Sequence, residues 1–453
     1  MAQLNVGQIF LEDLQHSLNH SLSILSLQVI SILLATRVMS FLARKLGQPA
    51  VIGEIIAGIA LGPSILGMYA PQVSAFLFPE WSWGNLQFIS QMGLIFFMFI
   101  IGLELDLNSI RQTAREALVI SHVSIAGGFL AGAWLARQIY AEYAQPGAPF
   151  LAFALFMGIA MSIAAFPVFA RIVQERGWSR TPFGNQLITC AAVDDFTAWC
   201  LLAIVIAVSK ARGLGTSLLT FGFIAVYLAL MIWVVRPIAA WVGRRFVQRG
   251  ELTRPQTGIV FMIMLLSAYM TELIGIHALI GAFIAGVIMP QNQKFKHTLI
   301  EKLEDLATLV FLPLFFVFTG LRTEMGALNE AHLWQVVLTI IGYATLGKFG
   351  SAFLASKLMG YSWKNALITG SLMNTRGLME LVVLNIGYDL GILSKTLFAM
   401  MVIMALATTF MTGPLLNLIS WLFRRSEAPV LQMPPEGALE VPIESIESPD
   451  MKA

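Results

Sequence analysis

Charge is scarce along this chain: 12% of its 453 residues are Asp, Glu, Lys or Arg, against 57% that are hydrophobic. Water could not keep such a composition in solution at this length, so the chain is an integral membrane protein. Cysteine is nearly missing. Cys190 and Cys200 lie ten apart in one apolar stretch, which makes neither a disulfide framework nor a metal cluster. The residues ahead of the first apolar run (MAQLNVGQIFLEDLQHSLNH) lack a basic block, so no cleaved signal peptide is expected. Net charge is only +2, and nothing in its distribution suggests nucleic acid. Strict two-residue alternation is also lacking. Runs rich in Leu, Ile, Ala, Phe and Gly suit helices rather than the strands of a barrel.

What is present is a succession of apolar runs close to the roughly 20 residues a helix needs to cross a bilayer. Interrupted by charge, Gly or Pro, they predict spans near 22–43, 49–67, 88–105, 116–138, 149–174, 184–208, 216–241, 257–275, 278–291, 304–321, 331–357, 365–386 and 394–423. The segment 278–291 is short enough to be re-entrant instead. With thirteen spans the termini fall on opposite sides. Loops on one side then hold nineteen Lys and Arg residues, among them Arg44, Arg111, Arg171, Arg180, Arg244, Lys302, Arg424 and Arg425. The other side holds five: Arg137, Lys210, Arg212, Arg322 and Lys395. This bias predicts an extracytoplasmic N-terminal segment 1–21, a transmembrane domain 22–423 and a cytoplasmic tail 424–453. The tail is rich in Pro, Glu and Ser and is expected to be disordered.

Five ionisable residues fall deep inside spans: Asp194, Asp195, Lys348, Arg376 and Glu380. Each costs about 2.5 to 3.5 kcal/mol at a helix centre on insertion scales, so each needs a partner, a watery cavity or a task. Asp194 and Asp195 are neighbours in "AAVDDFTAW", and neighbours on a helix differ by about 100° in direction. One is expected to face a cavity while the other meets a neighbouring helix. Proton and metal cation compete for a carboxylate at the edge of a narrow aqueous cavity, and that competition is the chemistry of exchange. The alternative is a pair of carboxylates neutralised by basic groups to hold a bundle together.

Lys348, in "GYATLGKFGSAF" with Gly342, Gly347 and Gly350 nearby to allow close helix packing, is the natural ion-pair partner for one aspartate, as a static clamp or as a proton carrier. Arg376 and Glu380 are four apart in "NTRGLMELVVLNIG", so on a helix they share a face. Gly377 between them, with Asn374 and Thr375 before them, suggests an interrupted helix. A second interruption is expected in "MSIAAFPVFARI", at Ser162 and Pro167, the proline removing a backbone donor and freeing a carbonyl. Interrupted helices at corresponding positions in two halves of a chain point to an inverted repeat with an ion site between them. Glu54, Glu104, Glu272 and His277 are expected at helix ends or interfaces, away from the ion.

Taken together, "QPAVIGEIIAGIALGPSILG" (48–67), "GLIFFMFIIGLELD" (93–106), "SIAAFPVFARIV" (162–173), "AAVDDFTAWCLLA" (191–203), "HALIGAFIAGVIMP" (277–290) and "LMNTRGLMELVVLNIG" (372–387) make the chain resemble the cation:proton antiporter-2 family of monovalent cation/proton antiporters. The resemblance covers roughly residues 20 to 423. It implies an all-α membrane fold of thirteen helices, divided into a dimerisation domain and a core domain, with two crossing broken helices at 149–174 and 365–386. It also implies homodimers that work by an elevator-like form of alternating access. Residue by residue, it implies that Asp195 binds the ion and that Asp194 occupies a position held by Asp in electrogenic members and by Asn in many electroneutral ones. Lys348 matches the basic position that pairs with Asp194. Unlike the potassium-efflux members, the chain shows no nucleotide-sensing domain after its last span, so no dinucleotide regulation and no cofactor are expected.

The implied activity is exchange of Na⁺, with K⁺ or Li⁺ as alternatives, for H⁺ across the cell membrane, moving net charge. Electroneutral K⁺/H⁺ exchange and a cation channel are the rival readings. Channels use rings of charges or carbonyls, whereas this chain has one Asp pair and two broken helices. A membrane enzyme is disfavoured because no His/Cys cluster or phosphate cradle is present.

Overall fold

The structure, a computed structural model, describes residues 21–104, 114–178, 181–210 and 214–423. The expected N-terminal segment, the expected tail and the loop residues Arg111, Arg180, Arg212, Arg424 and Arg425 lie outside these, apart from Ser21. Among the described residues the secondary structure is helical, with a single isolated bridge between Ala144 and Leu393.

In chain order the longer helices begin with α1 (Ser21–Lys45), α2 (Ala50–Leu61), α3 (Trp83–Glu104), α4 (Ala114–Tyr143), α5a (Phe150–Ser162), α5b (Phe166–Glu175) and α6 (Pro182–Lys210), with short helical turns at Leu66–Tyr69 and Pro71–Leu77 between α2 and α3. Helix α7 runs from Leu214–Leu230 through a wide turn, Met231–Val235, into Arg236–Arg249. Then come α8 (Arg254–Ile274), α9 (Ala278–Ile288) and α10, which runs from Gln293–Leu306 through Ala307–Phe311 into Leu312–Leu321. Helix α11 joins Ala331–Thr345 to Ser351–Leu358 through Leu346–Gly350; α12a (Trp363–Met373), α12b (Leu378–Asp389) and α13 (Lys395–Leu422) are the last of the described helices.

Among the described residues, eleven helical stretches are long and apolar enough to cross a membrane. They coincide with eleven of the expected spans. The other two expected spans are the short helix α9 and the pair α12a and α12b, neither of which reaches that length as one piece.

The wide π-turns have local causes. Those at Met231–Val235 and Ala307–Phe311 are each followed at once by a helical segment with a proline in its first turn, Pro237 and Pro313. A proline there has no N–H to give the preceding turn, and widening that turn absorbs the ring. The third, Leu346–Gly350, has no proline and surrounds Lys348.

Apart from α7, the helices pack as two groups. One gathers α4, α5a, α5b, α6, α11, α12a, α12b and α13 around the interrupted helices. The other gathers α1, α2, α3, α8, α9 and α10. Backbones come very close where side chains vanish. A Cβ on Gly102 of α3 would lie 2.2 Å from the Phe283 carbonyl oxygen of α9, and one on Gly58 of α2 would lie 2.5 Å from the Val317 carbonyl oxygen of α10. Such contacts suit a membrane, where helix association depends on van der Waals packing.

Candidate functional site

Helix α4 brings the site together. A Cβ on Gly128 would stand 2.6 Å from the Met161 carbonyl oxygen at the end of α5a, and one on Gly127 would stand 2.4 Å from Ser351 Cβ in α11. Two adjacent glycines therefore admit α5a on one side and α11 on the other. Gly347 of α11 meets Ala131 of α4 in the same way, at 2.6 Å. Gly342 and Gly350, expected to help this packing, have open space around them instead. With the helices this close, the wide turn at Leu346–Gly350 delivers Lys348 to the end of α5a.

The interruption of α5 spans Ile163–Ala165. Ser162 is the last residue of α5a, and its hydroxyl donates back to the Ile159 carbonyl at 2.9 Å. Pro167 is not in the break, as the sequence suggested, but in the first turn of α5b. That position leaves its missing N–H without consequence and uses its fixed φ to start the second half-helix. The interruption of α12 lies between Met373 and Leu378, covering Asn374, Thr375, Arg376 and Gly377.

The two breaks touch. The Ala165 amide donates to the Thr375 carbonyl at 3.0 Å, and a Cβ on Gly377 would come within 3.0 Å of Ala165 Cβ. Arg376 ties the crossing together. Its Nη1 donates to the Ala160 carbonyl at 2.6 Å and to Glu380 Oε2 at 2.8 Å, and its Nη2 donates to the Met161 carbonyl at 2.9 Å. These carbonyls are among the last of α5a, which have no partner within their own helix. Thr409 of α13 accepts from the Arg376 amide at 3.0 Å and donates to the Arg376 carbonyl at 2.7 Å.

Asp194 and Asp195 sit mid-way along α6 and are both buried. Lys348 Nζ donates to Asp194 Oδ1 at 2.6 Å and also to the Ser162 carbonyl. The other oxygen of Asp194 accepts from the Ala164 amide, inside the break of α5, at 2.9 Å. Both oxygens of Asp194 are therefore engaged. Asp195 differs. Its Oδ1 is buried and has no hydrogen-bond partner among the described residues. Trp199, one helical turn further on, lies on the same face and stacks on Phe283 of α9 at 6.0 Å. That face of α6 meets the other helix group.

A cavity of about 610 Å³ opens between the groups, walled by Phe97, Ile101 and Glu104 of α3, Glu304 of α10, and Pro167 and Arg171 of α5b. Neither aspartate lines it. Glu104, which the sequence reading set at a helix end, is on its wall. The packing residues Gly127 and Gly128, the hydroxyl of Thr409 and the backbone groups of Ser162 and Ala164 were missed from sequence. The adjacent glycines inside a span were the available signal. Backbone amides and carbonyls carry none.

A profile described as sodium/hydrogen exchanger, transmembrane, matches residues 29–421. The chain is 40% identical over 397 residues to the Na(+)/H(+) antiporter NhaS4 of Synechocystis sp., covering 87% of this chain and 97% of that protein. It is 40% identical to cation/H(+) antiporter 17 of Arabidopsis thaliana and 34% identical to K(+)/H(+) antiporter 1 of Saccharomyces cerevisiae, covering 88% of this chain in each case. It spans 49% and 46% of those two proteins, about half their length. In three dimensions it matches the sodium proton antiporter MjNhaP1 of Methanocaldococcus jannaschii with a TM-score of 0.58 at 14% identity, covering 88% of this chain and 97% of that one. That likeness is one of fold. With the profile running through both broken helices and the aspartate pair, this multi-pass membrane chain belongs to the sodium/hydrogen exchanger family.

Proposed function

We propose that the protein is a secondary antiporter that exchanges a monovalent cation, Na⁺ in the first place, with K⁺ or Li⁺ as alternatives, for H⁺ at Asp195. One observation carries this reading: of two adjacent buried carboxylates, Asp194 is fully hydrogen-bonded and Asp195 is left with an unpartnered oxygen. A buried carboxylate oxygen without a partner is held at a cost of about 1 to 3 kcal/mol or more, which a proton or a cation relieves. One group that takes either but not both is the minimal device for exchange. The relatives named above, one an Na(+)/H(+) and another a K(+)/H(+) antiporter, support the reaction class and leave the cation open.

In this reading the helices around the two breaks form the moving core and α1, α2, α3, α8, α9 and α10 form the scaffold. The protein works as a homodimer in the cell membrane, with its N-terminus outside and its C-terminus in the cytoplasm, so that the end bearing Arg171 faces inward. If Lys348 leaves Asp194 when the cation arrives, its proton travels too and exchange moves net charge. The complete bonding of Asp194 favours a second reading, in which the pair stays locked and exchange is electroneutral.

The test is reconstitution in liposomes, following internal pH after external Na⁺ or K⁺ is added, with and without valinomycin to clamp the potential. Proton movement that responds to the potential supports the first reading, and potential-independent movement supports the second. No proton movement with Na⁺, K⁺ or Li⁺ overturns both.

A further inference from the structure

The seam between the two helix groups is open at one end and shut at the other. At the Arg171 end the cavity measures about 610 Å³. At the opposite end the space between α3, α9, α10 and α12b has shrunk to about 20 Å³. That is room for about one water-sized body and none for a hydrated cation.

Charge crosses the seam at the shut end. Arg322, immediately after α10, donates through Nη1 to Asp389 Oδ1 at 2.8 Å and to Asn385 Oδ1 at 3.1 Å, both on α12b. Asn385 answers in the other direction, its Nδ2 donating to Thr319 Oγ1 of α10 at 2.9 Å. The Arg322 guanidinium also lies 4.4 Å from the ring centre of Phe318 and 5.4 Å from that of Tyr388, one ring on each side of the seam. All three side chains that make the clasp line the narrow space.

The placement gives the clasp its meaning. Helix α12b is the second half of the interrupted helix whose first turn holds Glu380, so it is built into the same crossing as the aspartates. Helix α10 belongs to the other group. The clasp therefore joins the two groups rather than bracing one of them. Its chemistry is reversible. The Arg322 side chain is 11% exposed and that of Asp389 is 34% exposed, so water stands ready to replace each bond as the groups part. Exchanging protein for water partners costs little net free energy, whereas parting a dry apolar contact of similar extent exposes its area to water.

We propose that Arg322, Asn385 and Asp389 form the latch that closes the outer side of the exchange pathway and parts in each turnover to let Asp195 meet the outer solution. This rests on the exchange reading above for the word outer and for the turnover. The latch itself is testable without transport.

Gln91 of α3 lines the shut space and takes no part in the clasp. The parent for the test is Gln91→Cys with Cys200→Ser. Buried Cys190 is kept to report unfolding. The rate at which N-ethylmaleimide alkylates the cysteine introduced at position 91 is measured by mass spectrometry on purified full-length protein. It is expected to be slow in the parent and about tenfold faster in Asp389→Asn and in Arg322→Gln, as a latched state loses population to an open one. It is expected to be slow again in the double variant Arg322→Asp/Asp389→Arg. Equal rates in the parent and both single variants overturn the latch. A variant that exposes Cys190 to alkylation has unfolded. The comparison then passes to Arg322→Lys, which keeps the charge and loses the planar fork; faster labelling there upholds the latch and an unchanged rate overturns it. Faster labelling in a protein that exchanges no cation for protons sinks the exchange reading alone. Unchanged labelling in a protein that does exchange them sinks the latch alone.

Discussion

Two buried ion pairs lie within one crossing of helices, and they are built differently. Arg376 and Glu380 are four residues apart, and the arginine spends its remaining reach on the Ala160 and Met161 carbonyls of α5a. Lys348 and Asp194 are 154 residues apart in sequence and come together only because α4 lets α5a and α11 approach. The first pair closes a helix end that would otherwise be bare. The second also serves the break, Lys348 at the Ser162 carbonyl and Asp194 at the Ala164 amide, and it stands beside the carboxylate that has an unpartnered oxygen. What separates the two pairs is therefore the neighbour rather than the spare hydrogen bonds: both serve the end of α5a, and only the second adjoins Asp195.

The largest effect is expected outside both pairs, at Asp195→Asn. Exchange measured in liposomes falls to background while expression and monodispersity on gel filtration are kept, because the amide carries no negative charge for a cation and takes up no proton near neutral pH. Retained exchange would remove Asp195 from the site.

Next comes the first pair. Arg376→Gln/Glu380→Gln removes both charges, yet it is expected to stay destabilised by about 3 kcal/mol or more, because the carbonyls that Arg376 served lose their donors. Thermal unfolding in detergent would read this as a large drop in midpoint. Wild-type stability in that double variant would end the distinction drawn here.

A smaller loss, about 1 to 3 kcal/mol, is expected for Gly128→Ala, since its Cβ must displace backbone of α5a rather than a flexible side chain. Unfolding midpoints compared with Gly222→Ala, where the added carbon meets nothing within 4 Å, would show whether close approach matters. Equal midpoints would say that it does not.

The smallest change in stability is expected for Asp194→Asn/Lys348→Gln, within about 1 to 2 kcal/mol, because both charges leave together and the pair serves one carbonyl, that of Ser162, where Arg376 serves two. If Lys348 carries a proton, that variant exchanges without sensitivity to the membrane potential. If wild-type exchange is already insensitive, the second pair is a clamp as well.

Much of the fold was legible in the chain itself. Eleven expected spans coincide with long apolar helices, and the expected interruptions fall within a few residues of those observed. The misses share a cause. Pro167 was read as the breaking residue and is instead the starter of α5b, because a proline is equally at home just after a break. Gly342 and Gly350 were read as packing positions and face open space, because a glycine's identity does not say which helix face is occupied. A cavity was expected against one aspartate, and the cavity found is walled by residues that attracted little notice, Glu104 among them.

The chain by itself determined that this is a membrane protein of interrupted helices with five charges in its interior. Those facts follow from local costs: a charge or a bare backbone group in hydrocarbon is expensive wherever it stands, so its presence is informative before any neighbour is known. Tertiary structure alone decided that Lys348 takes Asp194 and leaves an oxygen of Asp195 without a partner, that Arg376 serves a helix more than two hundred residues away, and that the seam is open at Arg171 and clasped at Asp389. Each of these depends on distances between distant segments, and those are set by which backbones can approach, not by the composition of either segment.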